Sequence, residues 1–242
     1  MPRPDGRKPS ELRPVQITRG YTRHAPGSVL IRTGDTVLLC TACWESGVPP
    51  WREGSGKGWV TAEYDMLPGS TTRRRPRNRQ KIDGRTQEIQ RLIGRSLRAI
   101  VDFARLKGNT VLIDCDVLQA DGGTRTAAVT GAYVALCDAT RAALKNRSIS
   151  ANPIREAVAA VSVGIVKGRP ALDLCYQEDV EAQVDMNVVM TESGRFVEVQ
   201  GTGEHTTFTQ AELDSMLRLA ARGTRQLIAV QKKVLRRRLP KG

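Results

Sequence analysis

Aromatic residues are scarce, histidines number two, and cysteines number five, an odd count, in a chain of 242 residues. The apolar runs are only a few residues long. That excludes a membrane-spanning helix, which needs about 20 consecutive apolar residues. His24 and His205 stand in no H-x-x-x-H or similar spacing, so a histidine-ligated metal site would lack partners. The cysteines, Cys40, Cys43, Cys115, Cys137 and Cys175, are scattered among apolar residues and suggest no disulfide framework. A chain of this length needs none, since it buries roughly 70% of its unfolded surface on folding. The start, MPRPDGRKP, has no apolar core of the kind a signal peptide requires. The expectation is a reduced, cytoplasmic protein without membrane attachment, of one large domain or two small ones.

What the sequence does have is positive charge. Lys and Arg total 38 against 25 Asp and Glu, a net +13. Such a balance attracts polyanions, because each phosphate neutralised releases condensed counterions. Solubility or nonspecific adhesion would need the same charge, so its placement has to discriminate. The densest cluster is Arg73, Arg74, Arg75, Arg77, Arg79, Lys81 and Arg85, opposed locally by Asp83 alone, and a second cluster, Lys232 to Lys241, closes the chain. Residues 68–84, PGSTTRRRPRNRQKIDG, have almost no apolar content and two prolines. They cannot bury a face, which predicts a mobile loop, either an arm for a polyanion or a solvated charged loop.

Around that loop the elements alternate in blocks. Residues 1–14 carry four prolines among charges and suit an extended basic arm better than a packed element. Residues 28–33 and 36–41 are β-rich and meet at Gly34-Asp35, a hairpin, and residues 59–64 read as a third strand beyond a Gly-, Pro- and Ser-rich loop. Ile89, Leu92, Ile93, Leu97, Ile100, Val101 and Ala104 recur at steps of three and four, predicting a helix over about 86–106. Residues 110–119 form a strand with Val111, Ile113, Cys115 and Val117 on one face and Asp114 and Asp116 on the other. Asp121-Gly-Gly and an Ala- and Leu-rich helix to about residue 146 follow. Strands near 156–167, 170–175, 183–191 and 195–201 precede a long helix from Thr209, boxed by Glu212, to about Arg237. The predicted class is α+β, two βαβ-like layers around one core.

Two constellations point to chemistry. Gly122-Gly123-Thr124-Arg125-Thr126 comes straight after a strand and opens a helix, where unpaired N–H groups and the positive dipole end favour phosphate. Thr124 and Thr126 add hydroxyl donors and Arg125 a charged fork. The same residues would also serve as a plain glycine turn with a threonine cap. Glu178-Asp179 and Asp185 form the second constellation, near the start of an apolar strand. Acids there are costly unless paired or bound to a cation such as Mg²⁺, and an arginine partner would satisfy Asp185 equally well. Other motifs fail. Gly54-Ser-Gly-Lys57-Gly58 lacks both the Ser/Thr and the first glycine of a phosphate loop, and Cys40-x-x-Cys43 falls in a strand with no second pair for zinc. Glu204-His205 suits a rim or capping role better than a substrate contact.

The blocks Gly84–Arg98, Ile113–Thr126 and Val184–Met190, with Arg3-Pro-Asp-Gly-Arg7 and Glu198-Val-Gln-Gly-Thr-Gly-Glu204, closely resemble the bacterial ribonuclease PH family over nearly the whole chain. The resemblance implies a single catalytic domain over 1–242 with the ribonuclease PH / ribosomal protein S5 domain 2-like fold. It also implies a phosphorolytic 3′ to 5′ exoribonuclease. Such an enzyme removes nucleotides beyond the 3′-CCA end of precursor tRNA, using inorganic phosphate and Mg²⁺ and releasing nucleoside 5′-diphosphates, and its reverse reaction adds nucleotides. Carried over by position, the phosphate site falls on Arg85, Gly123, Thr124 and Arg125, and the catalytic, metal-binding acids on Asp179 and Asp185. The loop of Arg73, Arg74, Arg75, Arg77 and Arg79 grips RNA near the opening of a homohexameric ring, a trimer of dimers. The residues themselves agree with this chemistry: Arg85 and Arg125 neutralise two mutually repelling anions, and no protein nucleophile is needed. Asp185 is in addition a candidate general acid toward the leaving 3′-oxygen. A hydrolytic metal-dependent exonuclease and a noncatalytic RNA-binding ring subunit are the alternatives.

Overall fold

The structure, a computed structural model, describes residues 3–77, 82–204, 206–237 and 239. In chain order the elements are β1 (Val15–Arg19), β2 (Gly27–Thr33), β3 (Thr36–Ser46), β4 (Trp59–Met66), α1 (Gly84–Ala99), β5 (Asn109–Gln119) and α2 (Thr124–Lys145). There follow β6 (Val158–Val166), β7 (Arg169–Leu172), α3 (Tyr176–Glu181), β8 (Ala182–Thr191), β9 (Phe196–Gly203) and α4 (Gln210–Arg236). The strands make two sheets, ordered β1-β2-β3-β5-β4 and β7-β6-β8-β9.

The α+β reading holds, and the βαβ arrangement is realised once. β4 runs parallel to β5 in the register Trp59↔Thr110 to Met66↔Val117, with α1 as the crossover. The second sheet is antiparallel at each pairing, because β6 and β7 are joined by the tight turn Lys167-Gly168, both at positive φ, and β8 and β9 by a link too short for a crossover. The β2–β3 hairpin turns at Gly34-Asp35, where Gly34 has φ 56°.

α2 lies between the sheets, against β2 and β3 on one side and β6 on the other. It is buried nearly all round, which its alanine-rich sequence allows. Small residues set the approach: a Cβ on Gly131 would lie 2.8 Å from Cys40 Sγ, and one on Gly27 would collide with the Ala135 carbonyl oxygen. Cys40 faces Cys115 across β3 and β5, Cys43 points the other way, and all five cysteines are free. Buried Arg19 joins α2 to the end of α4, paired with Asp138 (Nε to Oδ2, 2.7 Å) and donating to the carbonyls of Val234 and Arg237.

Several expectations change. The helix predicted to reach residue 106 stops at Ala99. Residues 100–102 instead cross an incoming segment, with Asp102 N donating to Pro153 O and Arg155 N to Ile100 O, before Asp102 caps a separate 3₁₀ turn, Phe103–Leu106. The apolar spacing continued across this break, so periodicity alone missed it. β1 and α3, five and six residues long, were not foreseen. α4 begins as predicted, with Thr209 and Glu212 capping one another. Among the described residues no helix is long and apolar enough to cross a membrane.

Gly27→Ala should force strand and helix apart and cost about 1–3 kcal/mol, as overpacking does. The expected sign in urea unfolding is a lower midpoint with an unchanged slope.

Candidate active site

β5 leads into the turn Asp121-Gly122-Gly123. Both glycines are left-handed (φ 72° and 64°), and a Cβ on Gly122 would sit 2.7 Å from Leu174 O and 2.8 Å from Tyr176 N. Only glycine fits there. α2 starts at Thr124 with no side chain capping its first turn, so those N–H groups face outward at the positive helix end. Thr124 Oγ1 accepts from the buried Tyr64 hydroxyl at 2.8 Å. Thr126, expected as a second donor to the site, instead turns its hydroxyl back to Gly123 O at 2.9 Å and fastens the turn itself.

A cleft of about 870 Å³ opens in front of this turn and brings together Arg73, Arg75, Arg85, Gly123, Thr124, Arg125, Asp179 and Asp185. Arg74 and Arg77 do not line it. Arg79, Lys81 and His205 lie outside the described residues, as does the end of the C-terminal basic cluster. Arg85, exposed in the first turn of α1 behind the capping Asp83, makes no ion pair among the described residues. Arg125 is steadied by Glu88 Oε1 at 3.1 Å and Gln200 Oε1 at 3.5 Å. Arg75 reaches Asp83 at 3.5 Å.

Asp179 feels the charge of Asp185. Burial pushes both carboxyls above their ordinary range; Asp185 adds to the effect on Asp179 and Glu204 to that on Asp185, while Arg85 and Arg125 oppose it. Asp185 Oδ1 is buried without a hydrogen-bond partner, so the arginine that might have satisfied this acid is not bonded to that oxygen. Among the described residues no trio of His, Cys, Asp and Glu forms a metal cage. Two crowded carboxylates with an orphaned oxygen nonetheless fit Mg²⁺, which takes one or two carboxylates and completes its shell with water and substrate phosphate. Glu204, exposed, lines the cleft, as does Asn187, two residues beyond Asp185 on the same strand face. The two-residue period pointed to Asn187.

Glu178 has a different role from its neighbour. It is buried and held by Arg3 (Nε to Oε1, 2.6 Å; Nη2 to Oε2, 2.7 Å) and by the Cys175 N–H at 3.1 Å. This corrects the reading of the N-terminus as an extended arm. Arg3 also donates to Leu172 O and Asp173 O, and Arg7 to Asp173 O. Arg13, 4% exposed, grips Asp173 through its backbone N (2.7 Å), Nε (3.1 Å) and Nη2 (2.7 Å), while Nη1 donates to Asp121 O. The prolines prevent regular structure here, but the arginines clamp the segment to the glycine turn on one side and to the loop before α3 on the other. No local sequence signal marks partners 160 residues apart.

Comparison with known proteins agrees with this geometry. The family model described as 3′ exoribonuclease family, domain 1, matches residues 11–142, and that of domain 2 matches residues 156–223. The chain belongs to this ribonuclease PH family of 3′ exoribonucleases. A ribonuclease PH of Corynebacterium efficiens is 58% identical over 235 residues, 96% of each chain. In fold, the chain is similar to rice (Oryza sativa) Rrp46, with TM-score 0.79 and 19% identity over 97% of this chain and 100% of that one. It is similar also to a chain of the Archaeoglobus fulgidus exosome with RNA bound to the active site, with TM-score 0.82 and 22% identity over 96% of this chain and 92% of that one. Both family segments of the chain contribute to the cleft, Arg85 and Arg125 from the first and Asp179 and Asp185 from the second.

Arg13→Ala removes the two side-chain nitrogens on buried Asp173 and leaves it the residue-13 backbone N–H and Arg7 at 3.7 Å, and should cost about 3 kcal/mol in chemical denaturation. For Glu178, burial pushes the carboxyl up, but the Arg3 and Cys175 hydrogen bonds and the Arg3 charge outweigh it and hold it below the ordinary range. A lowered folded value means stability that is present above about pH 4.3, the unfolded carboxyl's value, and is lost as pH falls through the folded one. The stability gap between wild type and Glu178→Gln should therefore be full at pH 7 and close in acid; a gap constant to pH 3 would contradict the clamp.

Proposed function

We infer that the protein is a phosphorolytic 3′ to 5′ exoribonuclease that trims precursor tRNA and other RNA 3′ ends. The observation that carries this reading is the meeting, in one cleft of a ribonuclease PH family chain, of a phosphate-type glycine turn with two arginines and a pair of crowded carboxylates.

Inorganic phosphate binds against the open N–H groups of Gly123, Thr124 and Arg125, with Arg85 and Arg125 opposing its charge and that of the terminal phosphodiester. Neutralisation lets the two anions approach in line, and positioning supplies most of the acceleration such a reaction needs. A phosphate oxygen attacks the terminal phosphorus, the bond from phosphorus to the preceding 3′-oxygen breaks, and that oxygen takes up a proton. The products are a nucleoside 5′-diphosphate and an RNA one nucleotide shorter. Asp179 and Asp185 hold Mg²⁺, which when bound supplies stabilisation of charge on the scissile phosphate and leaving oxygen. A carboxylate holding a cation carries no proton, so the proton is assigned to solvent rather than to Asp185. Run backwards, the same site adds nucleotides from diphosphates.

Arg73 and Arg75 at the cleft, with Arg74, Arg77 and Arg79 in the same loop, make the basic path by which RNA enters. The protein acts as a homohexameric ring, a trimer of dimers, in the cytoplasm; the fold shared with exosome chains and the basic loop beside the cleft support the ring.

Incubating a 3′-extended tRNA with protein and Mg²⁺, with and without phosphate, tests the reaction. Diphosphates formed only with phosphate are expected; monophosphates regardless of phosphate would mean hydrolysis, and tight binding without product a noncatalytic subunit. Arg125→Ala should lower turnover about 100-fold or more and raise the phosphate requirement, and Asp185→Asn should abolish turnover while RNA binding persists. Neutralising Arg73, Arg74 and Arg77 together should reduce the slope of log affinity against log salt by about 2; an unaltered slope would return the loop to solvated charge.

A further inference from the structure

Beside the arginines and carboxylates of the cleft, α3 contributes two exposed apolar side chains to its lining: Tyr176, 62% exposed, and Val180, 66% exposed. They stand four residues apart and so share one face of the helix. The three acids of α3 have other tasks, Glu178 bonded to Arg3, Asp179 beside the charge of Asp185, and Glu181 paired with Lys167 at 2.9 Å. Neither apolar residue belongs to the core, and the Tyr176 hydroxyl makes no hydrogen bond among the described residues.

The position of this ledge is fixed. Tyr176 N donates to Asp121 Oδ1 at 3.2 Å, and a Cβ on Gly122 would meet the backbone of Leu174, Cys175 and Tyr176, so the turn and the start of α3 lie backbone against backbone. The residue bearing the ring is thus rooted at the glycine turn, and its side chain lines the same cleft. An aromatic surface next to a phosphate turn matches the two ends of one nucleotide, and every base offers a π-face whatever its identity. Trp51, also exposed and stacked edge-on to Trp59, is no competitor for this role: Trp59 begins β4 while Met66, its last residue, lines the cleft, roughly 23 Å away at strand spacing.

We propose that Tyr176, flanked by Val180, is the platform on which the base of the RNA's 3′-terminal nucleotide, and of the nucleoside diphosphate it becomes, stacks. This rests on the phosphorolytic reading for the identity of the nucleotide. Stacking tolerates every base, so the platform grips each terminal nucleotide in turn without selecting among them, and it leaves inorganic phosphate unaffected.

Calorimetric titration of ADP and of pyrophosphate, with Mg²⁺, into the full chain and its Tyr176→Phe and Tyr176→Ala variants tests the platform. Base stacking of the usual strength predicts ADP binding weakened by about 10-fold or more in Tyr176→Ala. Tyr176→Phe should keep wild-type affinity, and pyrophosphate should bind all three alike. ADP affinity unchanged in Tyr176→Ala overturns the proposal. Equal weakening of ADP and pyrophosphate does so too, since that marks a disturbed turn and not a lost stack. Because binding is measured, the outcome is separate from the product assay: absence of diphosphate products would sink the phosphorolytic reading, whereas the ADP-to-pyrophosphate comparison judges the ledge.

Discussion

The site depends on one buried ion pair, Arg13 with Asp173. Its energy comes from an uncommon completeness: three nitrogens of Arg13 reach the Asp173 carboxylate, and a fourth donates to the turn carbonyl of Asp121. Buried charges are expensive, and only such saturation offsets their desolvation. Asp173 also has φ 56°, a conformation a non-glycine residue keeps only when its surroundings fix it. What the pair gains for the fold is position. The glycine turn follows the last strand of the first sheet and α3 precedes β8 of the second, and Arg13, with Arg3 and Arg7 beside it, bolts the two together so that glycine turn and carboxylates face one cavity.

That cavity joins opposite charges without cancelling them. Arg85 and Arg125 approach from the starts of two helices, where the dipole adds positive potential, and the carboxylates approach from α3 and β8. Had Arg125 bonded Asp185 directly, neither would be open to a ligand. Glu88 and Gln200 hold Arg125 instead, and Asp185 is left short of a partner. Positive and negative side chains therefore stand side by side along one cleft.

The sequence carried much of this because its signals are local. Alternation placed Asp114 and Asp116 on one face of β5 and Cys115 on the other, and capping residues marked the start of α4. Arg85, Gly123, Thr124, Arg125, Asp179 and Asp185 all reach the cleft; the first four sit at helix starts that local signals mark, whereas Asp179 and Asp185 lie within α3 and β8 and stood out as acids beside an apolar strand. What escaped was tertiary. The end of α1 is set by a crossing with residues 153–155, Thr126 by its own turn, and the fate of Glu178 by Arg3, 175 positions earlier. A proline-rich, charged start looks the same in sequence whether it waves in solvent or is bolted down.

The bolt also sets an order of events during synthesis. Arg13 leaves the ribosome early, but Asp173 lies 160 residues later, and the phosphate turn forms in between. At translation rates of about 5–20 residues per second, the chain spends roughly 3–11 seconds between the end of β5 and Asp173, with its first sheet made and its clamp unfastened. Throughout that interval the basic loop is already outside, while the carboxylates that complete the cleft are not. The nascent chain is thus charged for RNA before it is equipped to cut it, and the arrival of α3 serves as the switch from one condition to the other.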